Sequence, residues 1–203
     1  MIRNDLALFT VPRSDLAPGL VSGAFLLFLQ GESEGRPMAD LTYSDEFLRG
    51  VLKDTRTIAG FAMSAKVIRP SWFVGNYMRL HGYKVVAVNP VLAGQSHFGS
   101  TAVASLADIP EELGPVDMVD IFRRSDMVMP IVEDAIAHLL DRGLKYVWMQ
   151  IGVVNHEAAA LAESHGLTVI MNRCPKMEYQ RLCGELRLAG ISTGIISSKL
   201  PEF

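Results

Sequence analysis

The chain has 203 residues, of which 49% are hydrophobic and 20% are charged, and its formal net charge is -3. This composition is typical of an ordinary globular protein and excludes a disordered one, and the length suits a single domain with some excess. The acidic balance argues against a general binder of nucleic acids or membrane surfaces, because such proteins are usually basic. Any cationic site must therefore be local.

Cysteine usage indicates a reducing compartment. The two cysteines, Cys174 and Cys183, give no disulfide framework and no metal-ligand spacing, and the five histidines are scattered. We therefore expect a soluble cytoplasmic protein without a structural zinc site.

The N-terminal region contains the one candidate targeting segment, residues 20–29. This apolar run is shorter than the roughly 20 residues that span a bilayer, and the residues after it lack a small-x-small cleavage pattern. We expect residues 1–37 to be a poorly integrated extension and residues 38–203 to form the domain, with Met38 as an alternative natural start.

The first predicted elements are a helix, a strand and a second helix. Ser44 is placed to cap the first helix, and Thr57–Phe61 is typical of a strand. Pro70 suits the first turn of the next helix, because its missing N–H costs nothing there. Apolar residues at helical spacing predict the face of this helix that packs on the sheet: Phe73, Tyr77 and Leu80, with Trp72 beside them.

Lys84–Val88 is the second predicted strand. Residues 94–99 are interpreted as a loop and residues 101–103 as a short strand, and Ser105 is expected to cap a small helix that ends near Pro110. Residues 116–122 read as a buried strand.

The second half continues the alternation. Ser125 is predicted to cap a helix, residues 146–151 form the next strand, and Asn155 caps another helix. Residues 168–171 form the last strand, and Pro175 starts the final helix. The tail at residues 189–198 has no assigned place.

Strict alternation of strands and helices predicts an α/β fold, with a parallel sheet of about five strands covered by helices on both faces. The carboxyl ends of such strands line the ligand crevice. Three predicted strands reach that edge with polar or cationic residues, which predicts a receptacle for an extended, phosphate-bearing molecule: Arg123, Arg124, Gln150, Gly152, Asn172 and Arg173.

The dinucleotide fingerprint is missing from this crevice. No G-x-G-x-x-G follows the first strand, and the second strand ends in Asn89 and Pro90 without a carboxylate. The first loop instead carries Ser64, Lys66 and Arg69 before a helix N-terminus, which favours an anion. The alternative is that Lys66 and Arg69 are solvated loop charges.

Seven segments together resemble the small stand-alone CoA-binding proteins, which are similar to the nucleotide-binding domain of the succinyl-CoA synthetase alpha subunit. The resemblance covers roughly residues 42–185 and implies a Rossmann-like, doubly wound, three-layer α/β/α fold. The segments are residues 58–63, 69–71, 82–90, 105–110, 116–124, 147–152 and 172–176.

The resemblance also implies a set of ligand contacts. The diphosphate would lie against Ser64, Lys66, Arg69 and Ser71, and Asn89 and Pro90 would border the adenosine. Phe122 and Arg123 would flank the pantetheine or phosphate path, with Gln150, Ile151 and Gly152 beyond them. Five cations are placed to converge on the highly charged ligand: Lys66, Arg69, Arg123, Arg124 and Arg173.

One position departs from the family pattern. The family usually has glycine where this chain has Ala62, at the turn where the backbone approaches phosphate. If that turn needs a positive φ, alanine is strained there, and a looser loop or weaker binding follows.

Candidates for chemistry are few. Cys174 precedes a predicted helix beside Arg173 and Lys176, neighbours that favour a lowered thiol pKa, although an inert half-buried thiol is the preferred interpretation. His97 and His156 lie near the crevice side without a catalytic partner. Two acids in a predicted buried strand, Asp117 and Asp120, are expected to bind neighbouring loops.

We therefore expect a protein that binds CoA or an acyl-CoA without a catalytic apparatus of its own. The alternative is a small nucleotide-dependent oxidoreductase or acyl-transfer enzyme that uses Cys174, and a third hypothesis is an interaction module that has lost its ligand. No nucleic-acid or membrane partner is expected, and a protein partner is left open.

Overall fold

The structure, a computed structural model, describes residues 41–183. The extension predicted over residues 1–37, its boundary at residue 38 and the tail at residues 189–198 lie outside this range. The helices are α1 (Asp45–Asp54), α2 (Pro70–Leu80), α3 (Val128–Leu139), α4 (His156–Ser164) and α5 (Pro175–Leu182). The strands are β1 (Thr57–Phe61), β2 (Lys84–Val88), β3 (Ser96–His97), β4 (Ser100–Thr101), β5 (Met118–Ile121), β6 (Tyr146–Met149) and β7 (Thr168–Ile170).

Five strands form one parallel sheet in the order β2-β1-β5-β6-β7. β1 pairs with β2 on one side and with β5 on the other, so the chain moves outward to β2 and then returns across β1. The boundary between β1 and β5 is therefore the point where the strand order reverses. In open α/β sheets, ligands bind in the crevice beyond the strand ends at this point.

Helices cover both faces of the sheet. Alternate residues of a strand face opposite sides, and in β5 Val119 belongs to one buried cluster while Met118 belongs to the other. The cluster around Val119 is closed by α3 and α4, and the cluster around Met118 is closed by α1, α2 and α5. The predicted Rossmann-like three-layer α/β/α fold with five parallel strands is confirmed.

Two of the four helix caps predicted from the sequence are confirmed. Ser44 Oγ accepts from the Phe47 N–H at 3.1 Å, and Asn155 Oδ1 accepts from the Ala158 N–H at 2.9 Å, as predicted. Ser105 starts no helix, because its N–H and hydroxyl both donate to the Asp108 carboxylate and close a turn. Ser125 does not cap α3, because its hydroxyl is engaged by the loop after β6.

The segment after β2 contains a small hairpin that the sequence did not predict. β3 lies within residues 94–99, interpreted above as loop, and pairs antiparallel with β4. The short strand expected over residues 101–103 is displaced to β4, and Val103 forms an isolated bridge to Val88. Two-residue strands carry too little periodicity to be recognised in a sequence.

Helix α2 packs on the sheet with a different face from the one predicted. Phe73 and Leu80 are 51% and 64% exposed, whereas the buried positions include Val74, Gly75 and Met78. The buried face contains Gly75, where an added Cβ would overlap the side chain of Met63. The small residues on this face let the helix approach the sheet closely, so Phe73 and Leu80 are left at the surface, while Tyr77 packs against the edge of the buried cluster as predicted.

Helix α5 is held by a buried carboxylate. Glu178 is fully buried and pairs with Arg181 at 2.8 Å and with Arg173 at 3.5 Å. Arg181 also reaches Asp45 on α1. These ion pairs connect α5 to α1 and to the segment that follows β7. They also compensate the buried charge of Glu178, which would be strongly destabilising if it were unpaired.

Among the residues that the structure describes, no helix has both the length and the apolar character needed to cross a membrane.

Candidate functional site

An open crevice of about 960 Å³ lies beyond the carboxyl ends of β1, β5 and β6. It therefore occupies the edge of the sheet at which the strand order reverses. Nine of the thirteen binding residues predicted from the sequence line it: Ala62, Ser64, Lys66, Arg69, Ser71, Phe122, Arg123, Gln150 and Gly152.

The first wall is the loop between β1 and α2, which is anchored below by Met63. The Met63 side chain is 1% exposed and fills the space over two glycines, Gly60 of β1 and Gly75 of α2. Its carbonyl oxygen accepts from the Asn89 side-chain amide at 2.7 Å, and the Ala62 N–H donates to Val88 O. These contacts bind the start of the loop to the end of β2.

Ala62 has a φ of 64°, in the left-handed region. The strain that the sequence predicted for alanine at this turn is thus present in the backbone. A Cβ in this conformation costs roughly 1–2 kcal/mol, which glycine would avoid. The turn keeps its shape because the contacts on both sides of it are fixed.

Serine hydroxyls shape the rest of this loop. Ser71 Oγ accepts from the Ser64 N–H at 3.1 Å, and Ser64 Oγ accepts from the Lys66 N–H at 3.1 Å. Pro70 occupies the first turn of α2, which has no acidic residue, and Arg69 makes no side-chain cap bond. The positive end of the α2 dipole is therefore available to an anion in the crevice.

The second wall is the loop between β5 and α3. Ser125 Oγ accepts from the Val154 N–H at 3.0 Å, and the Asn155 side-chain amide donates to Ser125 O at 2.9 Å. These bonds join the second wall to the loop that follows β6, so the two loops form one connected side of the crevice.

The crevice is a local positive patch on an acidic chain. Four cations line it with one carboxylate, Asp126, which pairs with Arg124 at 2.8 Å. Within residues 41–183, the side chains of the other three cations, Lys66, Arg69 and Arg123, make no hydrogen bond or ion pair. Exposed and unpaired cations around a helix N-terminus are the arrangement that binds phosphate groups.

Sequence comparison assigns the family. The family model for the CoA binding domain matches residues 56–180, which is more than half of the chain. The chain therefore belongs to the CoA-binding domain family. The resemblance inferred from the motifs is confirmed.

This CoA-binding domain protein aligns with nearly the full length of several relatives. The uncharacterized protein YneT of Bacillus subtilis (strain 168) is 33% identical over 132 residues, 65% of this chain and 91% of that protein. A solved Thermus thermophilus protein, cell-free ID.343, is 34% identical with a TM-score of 0.62, and it covers 69% of this chain and 99% of its own. A hypothetical protein from Pyrococcus horikoshii OT3 is 35% identical with a TM-score of 0.62, covering 74% and 99% respectively.

Four predicted residues of this CoA-binding domain lie outside the crevice lining. Asn89 holds the first loop, as described above, Pro90 opens a short 3-10 turn, and the side chain of Ile151 does not line the cavity. Arg173 faces another part of the fold, since it bonds Leu41 O at 3.0 Å, pairs with Glu178 and covers the Tyr43 ring at 5.6 Å. Buried Glu178 draws this guanidinium away from the crevice.

Four lining residues are absent from the sequence predictions, and a fifth, Arg124, was predicted as a strand-end cation without an assigned ligand contact. The strand-end rule that selected Arg123 and Arg124 extends to the next two positions, and the same rule reaches one position past Gly152. The omitted residues are Pro70, Ser125, Asp126 and Val153.

Cys174 does not have the lowered pKa that its cationic neighbours suggested. The thiol is 7% exposed, and burial raises its pKa to about 11, with the charge of Asp120 adding to the effect. Desolvation outweighs the helix start and the nearby lysine. The preferred interpretation, an inert thiol, agrees with this environment.

Asp117 and Asp120 differ although both are buried. Asp117 accepts from the backbone N–H groups of Arg56 and Thr57, as expected for an acid that binds a neighbouring loop. Asp120 instead accepts twice from the side-chain amide of Gln150, at 2.7 and 3.0 Å. Burial raises the pKa of Asp120 to about 7, and the Gln150 hydrogen bond opposes this only in part.

No cluster of three or more histidine, cysteine or acidic side chains in residues 41–183 has the arrangement to hold a metal ion.

The raised pKa of Asp120 predicts an unusual dependence of stability on pH. The folded state holds this proton more tightly than the unfolded chain, whose ordinary pKa is 3.8, so the free energy of unfolding falls as pH rises from about 4 to 7. Asp120→Asn removes the buried charge. Its gain in unfolding free energy over the wild type should be roughly 2–3 kcal/mol larger at pH 8 than at pH 5.

Urea unfolding at the two pH values measures this difference, with Glu133→Gln on the exposed side of α3 as the control. Parallel pH profiles for the wild type and Asp120→Asn would contradict the buried-charge account.

Proposed function

We propose that this protein binds CoA or an acyl-CoA in the crevice beyond β1, β5 and β6. The observation that carries the proposal is the set of three unpaired cations, Lys66, Arg69 and Arg123, at the switch point of a CoA-binding domain. The chain as a whole has a net charge of -3, so these cations are concentrated where a polyanion would enter. Family membership and local charge point to the same ligand.

The proposed arrangement assigns each part of the ligand to one wall. The diphosphate lies between the first loop, with its free helix start, and Arg123 of the second. The pantetheine passes Phe122 toward Gln150 and Gly152, and the adenosine lies on the side of Asn89 and Pro90. The cavity volume of about 960 Å³ is at the upper end of the range for small-molecule sites, as an extended cofactor requires.

A dinucleotide such as NAD fits less well. The loop after β1 has no glycine fingerprint, and β2 is followed by Asn89 rather than a carboxylate for the ribose hydroxyl. CoA carries a 3′-phosphate in addition to its diphosphate, and the excess of cations over acids in the crevice suits that greater charge.

We further propose that the chain holds its ligand without chemistry of its own. The residues that line the crevice include no histidine and no cysteine, and their one carboxylate, Asp126, is paired with Arg124. An enzyme that uses Cys174 is the weaker candidate, because a buried thiol with a pKa of about 11 is mostly protonated near neutral pH. A cytoplasmic location stays a prediction from the sequence, and a protein partner stays open.

Calorimetric titration with CoA tests the proposal. We expect a dissociation constant in the micromolar range or tighter, and a loss of roughly tenfold or more for Arg69→Ala and for Arg123→Ala, because each removes a charge-assisted hydrogen bond. Lys84→Ala is the matched control, since Lys84 is an exposed cation at the opposite end of the sheet. Clear heat with NAD and none with CoA would reject the proposal.

Ala62→Gly tests the cost of the strained turn. Glycine adopts a φ of 64° without a clash. The free energy of unfolding of the variant should therefore be about 0.5–1 kcal/mol higher than that of the wild type, and its affinity for CoA should be higher. Ala65→Gly, in the same loop but outside the left-handed region, should bring neither gain. If Ala62→Gly is more stable but shows no better affinity for CoA, the hypothesis of a module that has lost its ligand is favoured.

A further inference from the structure

Asp120 is a buried carboxylate without a cation beside it. The other two buried acids in residues 41–183 have charged partners: Lys145 lies near Asp117, and two arginines flank Glu178. Asp120 is 2% exposed and is bonded by a single group, the side-chain amide of Gln150. A buried charge with so little compensation is costly, which makes its position directly behind the crevice informative.

The contact fixes which way round the Gln150 amide lies. A carboxylate only accepts hydrogen bonds, so it must face the NH₂ group, as the distances of 2.7 and 3.0 Å from Nε2 show. The amide oxygen then points away from Asp120. It accepts no hydrogen bond from the described residues and is not buried, and Gln150 lines the crevice. The crevice thus presents a hydrogen-bond acceptor at the end of β6.

Protonation of Asp120 adds an O–H donor that this arrangement leaves unpaired. The Gln150 oxygen can accept that hydrogen bond, whereas the NH₂ group cannot. Turning the amide over satisfies the acid and brings the NH₂ group into the crevice. One proton therefore exchanges an acceptor for a donor at the same point of the site.

We propose that Asp120 is a positioning residue that sets the hydrogen-bonding direction of Gln150 toward the ligand, with the amide oxygen presented when Asp120 is ionised and the NH₂ group when it is protonated. This inference rests on the proposed CoA-binding function. It assigns to the ligand segment above β6 a hydrogen-bond donor, which the amide N–H groups of pantetheine supply.

The surroundings of Asp120 place its titration near neutrality. Its register partners on β1 and β6, Gly60 and Trp148, do not titrate, and it is faced by the protonated thiol of Cys174, which precedes α5. Burial is the main cause that raises the pKa of Asp120 to about 7, and within the described residues no ion pair lowers it. Both forms of Asp120 are therefore populated in the physiological range.

Two ligands separate this effect from phosphate titration. Calorimetry at pH 6 and pH 8 compares CoA with adenosine 3′-phosphate 5′-diphosphate esterified with methanol at its terminal phosphate, which keeps the nucleotide but lacks the pantetheine. In both ligands the 3′-phosphate is then the phosphate that titrates near neutrality, so the ratio of the two dissociation constants cancels its effect. That ratio should favour CoA by roughly three- to tenfold more at pH 8 than at pH 6, the effect of one gained hydrogen bond.

Two variants locate the effect. Asp120→Asn cannot titrate, so the ratio should be the same at both pH values. Gln150→Met removes the amide and should give the lower ratio at both. Glu133→Gln, the exposed control on α3, should keep the wild-type pH step.

The outcomes are distinguishable. A wild-type ratio that does not change with pH, or a pH step that survives in Asp120→Asn or Gln150→Met, overturns the role of Asp120. If neither ligand binds the wild type at either pH, the proposed CoA-binding function fails instead.

Discussion

The reversal of strand order between β1 and β5 is the constraint on which the rest of the structure depends. Because β2 and β5 lie on opposite sides of β1, the connections that leave β1 and β5 diverge, and a crevice opens between them. The loop after β1 leads into the start of α2, whose free dipole faces this space. The topology of the sheet therefore places the two loops, with their unpaired cations, next to each other.

Two residues beside the crevice have locally unfavourable conformations or environments. Ala62 holds a left-handed backbone, and Asp120 is a buried acid without a cation. Elsewhere, the buried acids are paired and the strands of the sheet bury apolar residues. A strained turn and an uncompensated buried acid beside the same crevice are characteristic of functional sites.

Sequence patterns were sufficient for the sheet and for most of the crevice, because both depend on local signals. β1 and β2 were predicted to the residue, the strand-end rule found Arg123, and the helix start after the first loop indicated Ser64 and Arg69. The failures came from tertiary contacts that no local pattern contains. The close approach of Met63 and Gly75 decided which face of α2 is buried, and Glu178, several residues along the chain, decided where the Arg173 guanidinium lies. The pKa of Cys174 likewise follows from burial rather than from its neighbours in sequence.

Chemical-shift mapping of the backbone amides during titration with CoA tests the central claim most directly. The account predicts that the largest changes fall on residues 62–71 and 122–126, the two loops that flank the switch point. A second cavity of about 410 Å³, lined by Leu52, Arg56 and Tyr83, lies at the opposite end of the sheet and provides the contrast. Shifts confined to that cavity, or none anywhere at saturating CoA, would contradict the account.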